Sequence, residues 1–228
     1  MTYRAAIICV SCVAVSAQVL GAQASRSDPS DTQAWYSAGL TLDLPRKWEA
    51  SLRYRQRYEG NARLYKGAYV TAEGSWNGWA GATLLASYRR SSVDGGTYHR
   101  IAVGAERDAS VMDFDLSLRA LLANQLANGS DDDEIASDAK RFVRIRAQAK
   151  RELAGRLDAY ASVEPYIAFG ADYLIDNWRN TVGLKFEYAK GRKLDVFYIY
   201  RPDYAKSYNR TYHVLGVDFD FTVKLPRR

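Results

Sequence analysis

Apolar and polar residues alternate with a period of two along most of this chain. The stretch from Tyr212 to Leu225 does so without a break. Leu215, Val217, Phe219, Phe221 and Val223 share one face, and Gly216, Asp218, Asp220 and Thr222 share the other. Successive side chains of a β-strand point to opposite faces, so this spacing predicts a half-buried strand. The same pattern recurs upstream. It predicts strands over Ala34 to Leu44, Trp48 to Tyr58, Leu64 to Trp76, a fourth reaching Arg89, and Tyr98 to Arg107. Met112 to Leu118, Val143 to Lys150, Ala159 to Ile167, Arg179 to Tyr188 and Leu194 to Arg201 follow. The second of these is the clearest. Trp48, Ala50, Leu52, Tyr54, Gln56 and Tyr58 carry no charge, while Glu49, Arg53, Arg55 and Arg57 lie between them. Leu85 breaks the polar face of the fourth.

Turn residues separate the strands. Pro45-Arg46-Lys47, Asn77-Gly78, Asp108-Ala109-Ser110, Ala154-Gly155-Arg156 and Lys190-Gly191 predict tight connections, with Asn77-Gly78 a hairpin signal. The intervening connections are longer, among them Ser91 to Thr97 and Asn124 to Ala139. Alternating short turns and longer loops is the asymmetry of outer-membrane barrels. The fold class expected is therefore all-β, a single antiparallel transmembrane β-barrel of about 10–12 strands, with short periplasmic turns and longer external loops. The pattern counts eleven strands, and because single-chain bacterial barrels carry even numbers, ten or twelve is expected.

Alternation alone does not say which face points outward; a lipocalin-like exported barrel would turn the apolar face in. Several strands carry charge on one face only, which fits lipid on the other, where a charge costs roughly 2–4 kcal/mol at mid-membrane. Trp48, Trp76 and Trp79 gather beside the short turns, where an interfacial girdle belongs. The composition agrees, with 17 Tyr, 5 Trp and 7 Phe. The strand number also exceeds what an eight-stranded ligand-binding barrel needs.

The first residues add a compartment. Arg4 followed by the apolar run Ala5 to Leu20 and by Ala22-Gln23-Ala24 has the layout of a secretory signal peptide, so export is expected. Residues 25–32 are expected to be a disordered polar segment and residues 33–228 the barrel. Both cysteines, Cys9 and Cys12, fall in the signal segment, so the barrel must close without disulfides, by pairing every strand edge. The formal net charge of +6 is spread along the chain, with 32 basic and 26 acidic residues, and predicts no nucleic-acid partner. No stretch after the signal approaches the ~18 apolar residues of a transmembrane helix.

Two resemblances sharpen the expectation. Gly216-x-x-Phe219-x-Phe221 resembles the closing-strand signal by which outer-membrane barrels are recognised for assembly, departing from it at Val214, where a polar residue is usual. That resemblance implies the barrel-assembly machinery as a partner. Trp35-Tyr36-Ser37, the Arg53-x-Arg55-x-Arg57 ladder and Arg144-x-Arg146-x-Gln148-x-Lys150, with Glu164-Pro165-Tyr166 and Arg179-Asn180 before Gly183, are the second. With these motifs the chain resembles uncharacterised bacterial outer-membrane barrels of the domain-of-unknown-function 2490 type. The resemblance implies an outer-membrane barrel, with outer-membrane lipid and lipopolysaccharide as surroundings, and supplies no catalytic residues.

Chemistry of a catalytic or metal kind is thin. His99 and His213, the two histidines, fall on the apolar face near strand ends without a serine beside them, so an interfacial role is expected and a lipid-modifying enzyme is the least favoured reading. Asp131 to Glu134 could hold a divalent cation, but a solvated loop is the simpler expectation. No catalytic, cofactor or metal residue is assigned. The interior is the candidate site. Glu49, Arg53, Arg55, Arg57, Glu73, Arg100, Glu106, Asp113, Asp115, Arg119, Arg144, Arg146, Lys150, Glu164, Lys185, Glu187, Asp218 and Asp220 share the inward face class. They predict either a salt-bridged, closed interior, in a barrel that is structural or acts through its surface loops, or a narrow channel for small polar or anionic solutes. Near-balance of the two charges favours the closed interior.

Overall fold

The structure, a computed structural model, describes residues 30–93, 96–126, 141–169, 175–204 and 210–225. They form eleven strands: β1 (Ser30–Asp43), β2 (Trp48–Glu59), β3 (Leu64–Trp79), β4 (Ala82–Val93), β5 (Gly96–Val111) and β6 (Phe114–Gln125). After them come β7 (Arg141–Ala154), β8 (Leu157–Phe169), β9 (Ile175–Ala189), β10 (Arg192–Asp203) and β11 (Arg210–Lys224). Each pairs antiparallel with its sequence neighbour, and β1 pairs with β11, so the sheet closes on itself and no edge is left.

The closing pair is parallel, in unbroken register from Ser30 opposite Thr211 to Asp43 opposite Lys224. This corrects the expectation of an even, wholly antiparallel barrel. With an odd number of strands the first and last must run in the same direction, and the sheet accepts a parallel ladder there. β1 also begins at Ser30, so Ser30, Asp31 and Thr32 are strand and not a disordered segment. The Asp31 carboxylate accepts hydrogen bonds from the Gly60 and Asn61 N–H groups (3.2 and 2.9 Å), which ties the start of β1 to the β2–β3 loop.

Several turns lie further along than their residues predict. Asn77 and Gly78 are inside β3, and the chain turns at Ala80-Gly81, both with positive φ (48° and 77°). Asp108, Ala109 and Ser110 belong to β5, and the turn falls at Met112-Asp113, with Met112 at φ 54°. Most of the Ser91 to Thr97 loop is likewise strand, in β4 and β5. In each case pairing with the neighbouring strand continues past residues whose local preference is to turn, with Gly78 bulged between Asn77 and Trp79. Met1 to Ala24, expected to direct export, and Asp131 to Glu134, the acidic run, lie outside the described residues.

Both ends of the barrel can now be distinguished. One rim carries 44–47, 80–81, 112–113, 155–156 and 190–191; the other carries 60–63 and the ends of β4, β6, β8 and β10 with the starts of β5, β7, β9 and β11. They are the short-turn rim and the loop rim below. The outer wall is apolar and open to its surroundings: Leu52, Ile101, Leu118, Val182, Leu215 and Phe219 are all exposed. Tyrosines mark that wall toward the loop rim, where Tyr36, Tyr58 and Tyr65 stack edge to face. Trp48 and Trp76 pair at the short-turn rim, with ring centroids 6.2 Å apart.

Candidate functional site

The interior is built from the residues that alternate away from that wall, and it divides into two layers. Toward the loop rim, side chains fill the lumen. Arg57 lies between the rings of Trp35 and Tyr69, 4.0 Å from each centroid. Arg179 of β9 reaches across to Trp35 (5.9 Å) and covers Tyr166 of β8 (4.4 Å). Tyr166 stacks on Phe142 of β7, and Arg100 of β5 sits over Phe142 at 5.0 Å. Guanidinium planes and aromatic faces attract one another electrostatically, and more strongly when water is excluded. The result is a belt of alternating arginine and aromatic groups across the barrel. Trp35, Arg57, Tyr69, Phe142 and Tyr166 are at most 1 % exposed.

Two apolar clusters complete the belt. Trp35, Phe197, Ile199, Tyr212 and Val214 form one, and Ala102, Ala123, Phe142 and Tyr166 the other. Glu164 accepts two hydrogen bonds from Arg144 (2.8 and 3.1 Å), and Arg201 forms a two-point pair with Asp203 (2.8 and 2.9 Å). Every member of these contacts is an inward residue of its strand. Gly216 belongs here too. It lies opposite Phe197 in the ladder, and a Cβ on it would overlap the Phe197 ring. So the glycine of the closing-strand motif has a packing role of its own, as has Gly183 beneath the Tyr160 ring.

Toward the short-turn rim the lumen holds ion pairs that water reaches from one side: Arg53, Lys150 and Lys185 stay partly exposed, while the carboxylates of Asp195 and Asp218 are buried. Arg53 bridges Asp218 (2.5 Å) and Asp220 (2.7 Å), and Arg55 joins Asp218 (3.1 Å) and the Ser37 hydroxyl (3.2 Å), which itself donates to Asp218. Across the lumen, Arg119 of β6 meets Glu73 of β3 at 2.6 Å. Glu106 draws in Arg119, Arg146 and the Ser117 hydroxyl. Lys185 and the Tyr160 hydroxyl approach Asp195, and Lys150 lies between Asp115 and Asp158. Arg53 and Lys150 keep about a third of their side-chain surface exposed.

The inward charges read from the sequence therefore fall in two environments. Arg57, Arg100, Arg144 and Glu164 are in the packed belt. Arg53, Arg55, Glu73, Glu106, Arg119, Arg146, Lys150, Lys185, Asp218 and Asp220 are in the wet network. Glu187 pairs loosely with Lys193 (4.0 Å), and Glu49 and Asp115 are exposed near the short-turn rim. Asp113 departs from its expected place: it is in the Met112-Asp113 turn, in an exposed pair with Arg151 (3.4 Å). Leu85, the apparent break in β4, points inward and is buried. The sequence reading did not single out Trp35, Tyr69, Phe142 and Tyr166 as interior groups, nor Arg201, Asp203 and Asp195. The signal for each was the parity of its own strand, masked by the assumption that aromatic residues belong to the outer girdles.

Both histidines are on the outer wall, hydrogen-bonded to tyrosine hydroxyls: His99 to Tyr88 and His213 to Tyr198, each at 2.6 Å. Of the closing-strand residues, Phe219 and Phe221 face outward and Gly216 inward.

No protein-family model and no curated protein matches the chain. Among solved structures it is similar to one described as the NanC porin in a rhombohedral crystal form. Identity is 12%, the TM-score is 0.54, and the match covers 85% of this chain and 99% of that one. The likeness is one of fold. This chain has a porin-like, closed β-barrel, with eleven strands.

Proposed function

We propose that this chain is an integral outer-membrane β-barrel whose lumen is closed to solute flow at the arginine–aromatic belt. The single observation that carries the reading is the sorting of side chains: exposed aliphatic and aromatic groups on the outer wall, ion pairs inside. Strands of 12 to 16 residues, at ~3.4 Å per residue and tilted ~40°, rise roughly 30 Å or more along the barrel axis. That is enough for an apolar band ~25 Å tall. On this reading residues 1–24 direct export, the short turns face the periplasm, and Gly216, Phe219 and Phe221 present the closing strand to the assembly machinery. The chain acts, on this reading, as a barrel and not as an enzyme, in keeping with the porin-like fold of its structural neighbour. The test is fractionation. The protein is expected with outer membranes, resistant to extraction by salt and carbonate; release into the soluble periplasmic fraction would sink the reading.

A second reading, a narrow channel for small anionic solutes, has one observation in its favour. Among the described residues of the belt, Arg144 and Arg179 act on Glu164, and Arg57 and Arg100 add further positive charge at the same level against Trp35, Tyr69 and Phe142. Rings of like charge select the opposite ion. Planar-bilayer recording separates the two: the closed reading expects no sizeable conductance, and a reproducible anion-selective current from the purified protein would replace it with the channel.

A further inference from the structure

Among the described residues, the outer wall carries a shallow concavity that neither the belt nor the ion-pair network explains. It lies at the short-turn rim, has a volume of about 530 Å³, and is lined by Arg46, Lys47, Trp48, Trp76 and Gly78. Its shape follows from the sequence. Arg46 and Lys47 both adopt left-handed backbone (φ 62° and 66°), so the turn after β1 is unusually tight. Trp48 and Trp76 are ladder partners on the outward parity of β2 and β3, which puts their rings side by side. Two residues on, Gly78 leaves the space that the Trp76 ring occupies; a Cβ there would overlap it. Trp76 is thus laid against its own strand, and Trp48 stands as the opposite wall, 51% exposed. Toward mid-barrel the next outward ladder pair is Ala50 with Gly74, and a Cβ on Gly74 would meet nothing within 4 Å, so the floor continues as a shallow track.

The mouth of this concavity is cationic. Neither Arg46 nor Lys47 has an ion-pair partner among the described residues, and both are exposed. Indole rings prefer the level of lipid headgroups, and lysine and arginine beside them attract anionic headgroups. We infer that this concavity is a binding site for an anionic phospholipid, its phosphate at Arg46 and Lys47, its glycerol region between Trp48 and Trp76, and an acyl chain along Ala50 and Gly74. The inference rests on the membrane reading above and adds to it a place and a lipid class.

The test uses the full-length protein reconstituted in vesicles of zwitterionic phosphatidylcholine containing a minor fraction of brominated lipid, either phosphatidylglycerol or phosphatidylcholine. Bromine quenches tryptophan fluorescence on contact. Trp35, sealed in the belt, supplies an unquenched background. Brominated phosphatidylglycerol is expected to quench at least twofold more than brominated phosphatidylcholine at equal mole fraction. The double variant Arg46→Gln/Lys47→Gln, on an exposed turn, should fold normally and lose the preference, an effect of up to about thirtyfold in relative affinity for two cations. Raising the salt from 0.05 to 0.5 M should shrink the preference of the wild type, since the contact is at the surface and screened. Equal quenching by the two lipids in inserted protein, or a preference that survives the double variant, overturns the site and leaves the membrane reading intact. Failure of the wild type to insert into vesicles overturns both.

Discussion

Both halves of the lumen use arginines and carboxylates at alternate strand positions, yet one half is dry and the other wet. In the belt, arginine lies against aromatic faces: Arg57 has Trp35 and Tyr69, and Arg179 has Trp35 and Tyr166. In the short-turn half it is held by carboxylates that share partners, as Asp218 is shared by Arg53, Arg55 and Ser37. The difference teaches that charge alone does not make a pore. A barrel of this size is filled where large rings supply volume, and stays hydrated where the inward residues are small or charged. It also teaches where a loss should be felt: removing a packed ring leaves a cavity, whereas redundant carboxylates can replace a missing arginine.

Trp35→Ala should break the contrast most strongly. It removes a fully buried ring that Arg57 and Arg179 both face and whose Nε1–H donates to Gln33 (3.0 Å). Large-to-small changes of this kind cost ~3–5 kcal/mol. A large fall in the urea unfolding midpoint is expected, together with measurable conductance in the protein that still folds; unchanged stability and no conductance would mean the belt is not a packed plug. Next is Glu164→Gln. The carboxylate is 8% exposed and takes both Arg144 bonds, so neutralising it should cost about 2–3 kcal/mol. Glu106→Gln, in the wet network, should cost well under half of that, and equal losses would erase the distinction between the halves.

Gly216→Ala should be smaller again, about 1–3 kcal/mol, because the added methyl must displace the Phe197 ring. The measurement is folded yield and heat-modified gel migration; combining it with Phe197→Ala should recover part of the loss, and no recovery would mean the glycine acts through assembly and not packing. The smallest effect is expected for Arg55→Ala. Asp218 is buried but keeps Arg53 and the Ser37 hydroxyl, so no carboxylate is stranded and the cost should be about 1 kcal/mol, that of one hydrogen bond. A drop as large as that of Trp35→Ala would show that the short-turn half is as dry as the belt.

The sequence by itself determined what is local. A period of two assigns each side chain to a face, and that placed Arg53, Arg55, Arg57, Arg119, Arg144 and Arg146 on one side and Leu52, Val103, Leu184 and Phe219 on the other. It also separated the short turns from the longer loops. What it did not determine depends on register across distant strands. Whether eleven strands close or a twelfth is needed was settled by the parallel pairing of β1 with β11, residues some 180 apart in the chain, as Ser37 is from Asp218. Parity says that Arg119 and Glu73 both point inward; only closure of the sheet sets them 2.6 Å apart. Depth is likewise invisible locally. Arg55 and Arg57 are neighbours on the same face of β2, but register places one among carboxylates and the other between two aromatic rings. Turn preferences yielded for the same reason: Asn77 and Trp79 pair with Thr83 and Ala82, Gly78 bulges between them, and pairing between strands carries the chain past residues that locally favour a turn.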